Sequence, residues 1–169
     1  PTGTSPTFIT EENIGNLWVA TLSDGLYKIN KNNNDVTNYK FSPLDPTSIS
    51  SNQFIHSQKT PIIVDSNDNL WVATQNGLNF FEPSSGIFKR FFSKDNDSKT
   101  ISSNVINTLY FDGQFVWVGS SKGLDKINIA DKSVIRESGN SWNSMLGLYH
   151  VNQIIPFKSG VPMDGFWLA

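Results

Sequence analysis

One motif recurs along this chain at a spacing that few architectures allow. Asn16-Leu17-Trp18-Val19-Ala20-Thr21 is followed by Asp24-Gly25-Leu26, and Asn69-Leu70-Trp71-Val72-Ala73-Thr74 by Asn76-Gly77-Leu78. A third copy reads Phe115-Val116-Trp117-Val118-Gly119-Ser120 and then Lys122-Gly123-Leu124, and Gly165-Phe166-Trp167-Leu168-Ala169 begins a fourth. The four tryptophans stand 53, 46 and 50 residues apart. A unit repeated at a fixed period cannot bury its apolar face alone, so neighbouring copies must stack.

Within each period, alternating apolar residues and polar turn clusters predict four short antiparallel strands. In the second copy these run roughly over Phe54 to Val64, Leu70 to Thr74, Leu78 to Glu82 and Ile87 to Phe92. Four strands in a period near fifty define a β-propeller blade. The expectation is an all-β chain of about three and a half blades: 1–45, 46–95, 96–140 and a partial fourth, 141–169. About fourteen strands cannot complete even a four-bladed ring, which predicts an open fragment of a larger propeller, taken to be seven-bladed though the strand count itself does not set that number. Its end faces would lack a neighbour and invite association with remaining blades of the parent chain or with another copy. Trp18, Trp71, Trp117 and Trp167 occupy a slot shared by every copy and are expected to be core wedges between blades. Gly25, Gly77 and Gly123 share the slot where a tight hairpin needs positive φ, and are expected to be structural turns.

Composition narrows function by exclusion. The 169 residues carry a formal net charge of -2 and only 17% charged side chains, with no Lys/Arg cluster, so the footprint of a nucleic-acid binder is missing. With no cysteine, thiolate metal sites and disulfides are ruled out. No apolar stretch approaches the roughly 18 residues of a membrane span, so no membrane contact is expected of this segment.

The connections repeat as well. Phe41 to Asn52 and Phe92 to Asn104 both end in Ile-Ser-Ser-Asn before a new first strand. Together with Leu-Trp-Val-Ala-Thr and Gly-Leu, this arrangement resembles the two-component regulator propeller repeat. The resemblance implies the extracytoplasmic, periplasmic sensor region of a bacterial hybrid two-component protein of the Bacteroidetes kind. It further implies a histidine kinase outside this chain and an oligosaccharide or other small polar ligand. The third connection, around Glu137 to Leu146, departs from the pattern.

Side chains with catalytic potential are sparse. His56 and His150, the only histidines, fall in different blades, and no nucleophile elbow occurs. Asp65-Ser66-Asn67-Asp68-Asn69 starts like a calcium loop, but Leu70 stands where glycine is needed and Asn76 where glutamate is needed, so it reads as a hairpin turn. Neither metal nor cofactor is expected. The sequence therefore points to a binding segment and not an enzyme, with a propeller-fold lyase or glycosidase and a protein-interaction scaffold as the alternatives.

Function should lie where the copies differ. Beside the repeated glycine the residue changes from Asp24 to Asn76 to Lys122, as a scaffold reading a polar ligand would vary it. These three are candidate ligand contacts. So are Asn140, Trp142 and Asn143 of the divergent connection, where an indole outside the strand pattern is flanked by amides suited to a sugar.

Overall fold

The computed structural model describes residues 4–12, 15–137, 150–157 and 165–168. Twelve strands form three four-stranded antiparallel sheets in chain order. The first holds β1 (Pro6–Glu11), β2 (Leu17–Thr21), β3 (Leu26–Ile29) and β4 (Val36–Tyr39). The second holds β5 (Ile62–Val64), β6 (Leu70–Thr74), β7 (Gly77–Glu82) and β8 (Ile87–Phe91). The third holds β9 (Ile106–Phe111), β10 (Phe115–Ser120), β11 (Gly123–Asn128) and β12 (Val134–Arg136), and β13 (Ile154–Phe157) pairs with β14 (Gly165–Leu168) as the start of a fourth. Among the described residues there is no α-helix. Each sheet is a simple up-and-down meander, the form of a propeller blade.

Alternation along the tryptophan strand sorts its side chains between two neighbours. Trp18, Ala20 and Leu26 of the first blade meet Leu70, Val72, Phe81 and Phe88 of the second, with Ile49 and Phe54 of the connection between them. Trp71, Ala73 and Leu78 repeat the arrangement against Val116, Val118 and Ile127, with Ile101 in the place of Ile49. The indoles of Trp18 and Trp71 are fully buried. Trp117 is partly buried and packs with Tyr110 against Leu124, Val151 and Ile154. Trp167 lies on β14 opposite Ile155, and its side chain is outside the described residues.

Among the described residues, nothing covers the first face of the row of blades. Leu17, Val19 and Ile29 correspond by register to buried Leu70, Val72 and Phe81, yet are only half-buried, and Ile9 and Val36 beside them are 60% and 55% exposed. An uncovered apolar strip of this kind is what a stacked repeat presents where a neighbour belongs.

The innermost strand of the second blade is shorter than the alternation predicts, beginning at Ile62 and not near Phe54. Pro61 has no amide to donate to a ladder. Upstream of it the chain turns, with the Gln58 amide donating to the Ile55 carbonyl at 3.1 Å while the Gln58 side chain accepts from the Ile55 amide. The buried Gln58 amide group then donates to the carbonyls of Ala73 on β6 and of Ile106 on β9, bridging the second and third blades.

Candidate functional site

The loops that join the second and third strands stand at one end of the sheets, one per blade. Thr21, Thr74 and Ser120 each end the tryptophan strand with a hydroxyl that donates to the turn glycine carbonyl, at 2.8, 3.3 and 3.1 Å. The same oxygens accept the amides of Asp24, Asn76 and Lys122. A hydroxyl serving both sides of a short loop, four residues long in the first blade and two in the others, fixes the backbone of the variable residue. Gly25, Gly77 and Gly123 have φ of +82°, +90° and +113°, and a Cβ at Gly25 or Gly77 would stand 2.4 or 2.7 Å from the carbonyl of Tyr39 or Phe91.

The three variable residues are held differently. Asp24 pairs with Lys40 at 2.5 Å and accepts the Tyr27 hydroxyl, and these contacts, Lys40 first, draw its carboxyl below the ordinary aspartate value. Asn76 and Lys122 are exposed loop tips. Asn140, Trp142 and Asn143, the candidate contacts of the divergent connection, lie outside the described residues.

The connections lie against these loops and explain their own motif. The amides of Gly25 and Gly77 donate to the carbonyls of Asn52 and Asn104, both at 2.9 Å. The side chains of those asparagines accept the amides of Phe41 and Ser93 at 2.7 Å, closing each connection on itself. Isoleucine fills the core, and the first serine bonds the following blade through Thr74 or Ser120.

Two features of the tryptophan slot are not apparent from the repeat. Each indole N–H donates to a carboxylate in the turn before its strand: Trp18 to Glu12 at 2.8 Å, Trp71 to Asp65 at 3.0 Å and Trp117 to Asp112 at 2.7 Å. Asp65 also accepts the amides of Asn67 and Asn69, so the acid of the calcium-like sequence fastens its own hairpin. In addition, an ammonium covers each ring. Lys28 and Lys126 do so from the neighbouring strand, at 5.3 and 5.2 Å from the centroids of Trp18 and Trp117. In the second blade Phe80 takes the lysine's register position, and Lys132 reaches across from the third blade to lie 4.4 Å from Phe80 and 5.6 Å from Trp71.

That exchange opens a groove of about 610 Å³ between the second and third blades, lined by Asn67, Asp68, Phe80, Glu82, Ile129 and Lys132 among others. It lies at the end opposite Asp24, Asn76 and Lys122, among the β5–β6, β7–β8 and β11–β12 turns. Among the described residues, no group of three or more His, Asp or Glu side chains is placed to hold a metal ion.

The backbone is similar to solved extracellular domains. The extracellular domain assigned to the hybrid two component system BT3049 of B. thetaiotaomicron matches with a TM-score of 0.64 at 22% identity, over 88% of this chain and 19% of that one. The extracellular domain assigned to BT4673 of the same organism matches in two structures. One, described as a hybrid two component system, gives a TM-score of 0.58 at 20% identity over 89% of this chain and 17% of that one. The other, described as a one component system, gives 0.56 at 18% over 95% and 18%. This chain thus spans about a fifth of the length of the structures it matches. No protein-family model and no curated protein matches it in sequence. At these identities the likeness establishes the fold.

Proposed function

We propose that this chain is a segment of the extracytoplasmic sensor propeller of a bacterial hybrid two-component protein, recognising an oligosaccharide and signalling to a kinase outside the segment. The observation that carries this reading is the backbone match to two extracellular domains assigned to signalling systems, over most of this chain. The segment is read as non-catalytic. The ligand face is the end bearing Asp24, Asn76 and Lys122, with Asn140, Trp142 and Asn143 as further candidate contacts. Its support is chemical: one fixed hydroxyl-clamped turn per blade displays a carboxylate, an amide and an ammonium in sequence.

The test is a glycan-panel binding assay with the whole ectodomain, followed by a search for cleaved product. Binding without turnover is expected, with affinity reduced about 5–100-fold in Asn76→Ala, Lys122→Ala or Trp142→Ala, corresponding to roughly 1–3 kcal/mol for a lost polar or aromatic contact. Turnover would replace this reading with the enzyme alternative. Unchanged binding in these variants, with loss in Phe80→Ala, would move the site to the opposite groove.

A further inference from the structure

The two junctions between the four-stranded blades each contain a buried polar residue at the same register position. In the second blade it is Asn79, paired across strands with Val72 and Arg90; in the third it is Asp125, paired with Val118 and Arg136. Asn79 is fully satisfied. Its Oδ1 accepts the Ser50 amide at 2.9 Å, and its Nδ2 donates to Ser50 Oγ at 2.9 Å and to the Val72 carbonyl at 3.0 Å. Asp125 reproduces half of this set. Its Oδ2 accepts the Ser102 amide at 2.7 Å and the Ser102 hydroxyl at 2.8 Å, whereas its Oδ1, also buried, has no hydrogen-bond partner.

An ionised carboxylate in that position accepts only and cannot bond the carbonyl that Asn79 bonds in the other blade. A carboxylic acid can. We propose that Asp125 closes the second junction as a neutral acid, its Oδ1 hydroxyl donating to the Val118 carbonyl, and that loss of this proton loosens the Phe92–Asn104 connection. The groups around it fit that assignment. Arg136 on β12 is the charged group facing it, and its guanidinium is spent on the carbonyls of Asp97, Thr100 and Ile101. The connection offers the Ser102 amide and hydroxyl, and β10 offers Val118 and Ser120. The face of the second blade that covers this junction, Trp71, Ala73 and Leu78, is uncharged. Burial accordingly pushes the Asp125 carboxyl above its ordinary value of 3.8, against the opposing pull of Ser102 and Arg136.

The sign follows from proton uptake. The folded state holds the proton more tightly than the unfolded state, so stability from this group is full below the ordinary aspartate range and falls as pH rises through the raised value. Asn79, an amide with no titratable proton, contributes no such dependence to the first junction.

Hydrogen exchange at the Ser102 and Ser50 amides of this chain, corrected for intrinsic rates, separates the two. The expected result is that opening at Ser102 grows relative to Ser50 as pH rises, by up to about tenfold per unit between the ordinary and raised values. Asp125→Asn should flatten this response, and Asn79→Asp should transfer it to Ser50. Equal behaviour of the two amides in the unsubstituted chain, or opening at Ser102 that grows on acidification, overturns the proposal. Infrared difference spectra of the chain and its Asp125→Asn variant give a second reading. A carboxylic-acid carbonyl band that persists above the ordinary aspartate range and is lost on substitution supports the neutral acid, and a purely carboxylate difference overturns it.

Discussion

The junction between the first and second blades and that between the second and third are built alike and finished differently. In both, a tryptophan face enters an aliphatic and aromatic receiving face, a connection ending Ile-Ser-Ser-Asn lies across the seam, and an arginine of the outermost strand secures that connection. Arg90 donates to the carbonyls of Asp45 and Ser48, and Arg136 to those of Asp97, Thr100 and Ile101. The first junction is richer in rings, with Trp18 stacked on Tyr39 at 5.6 Å and edge-on to Phe81 at 5.4 Å. The second has fewer rings across the seam and more backbone bonds to its arginine. Apolar wedging is therefore common to the repeat, while polar closure is adjusted seam by seam.

Substitutions can break this comparison, beginning with the wedge. Trp18→Ala and Trp71→Ala should each cost about 3–5 kcal/mol in denaturant unfolding, as large-to-small changes at fully buried aromatics do. A loss under about 0.5 kcal/mol at either would show that its seam does not depend on the indole. Next come the arginines. Arg90→Ala and Arg136→Ala should each cost about 1–3 kcal/mol, because removing the guanidinium leaves several part-buried carbonyls without their donor. The effect should be larger for Arg136, and equal losses would mean that the additional carbonyl contact contributes nothing. The smallest effect is expected at the rim: Lys122→Ala should change stability by less than about 0.5 kcal/mol, since the loop is held by the Lys122 amide and the Ser120 hydroxyl and not by the ammonium.

The blade order, strand count and loop positions are legible in the sequence because they rest on recurring identities: the tryptophan of all four copies, the turn glycine of the first three, and the Ile-Ser-Ser-Asn of the first two connections. What was not legible rests on pairings between residues distant in the chain. Arg90 and Arg136 occupy one slot, but their partners lie some forty residues earlier, and nothing local marks them as clamps. Glu12, Asp65 and Asp112 could have been found, since an acid precedes each of the first three repeat tryptophans by five or six residues. At Asp65 and Asp112 the same acid also opens a hairpin turn, which by itself accounts for an aspartate there. The late start of β5 has a local cause, Pro61, and a distant one, the Gln58 bridge to Ile106. As for the rim, sequence marks Asp24, Asn76 and Lys122 as variable, but the Lys40 and Tyr27 contacts that hold Asp24 depend on the fold.

The buried, carboxylate-bonded indoles have a spectroscopic consequence. Trp18 and Trp71 each sit at the centre of one seam, shielded from water, with the N–H fixed on an acid and an ammonium over the ring. Their emission should lie at shorter wavelength than that of a solvated indole and shift to the red when the surrounding seam opens. A variant retaining Trp18 as its only fluorophore of this type would report the first seam, and one retaining Trp71 the second. The repeat thus carries a built-in optical probe for each junction, so the order in which the blades separate can be followed without an added label.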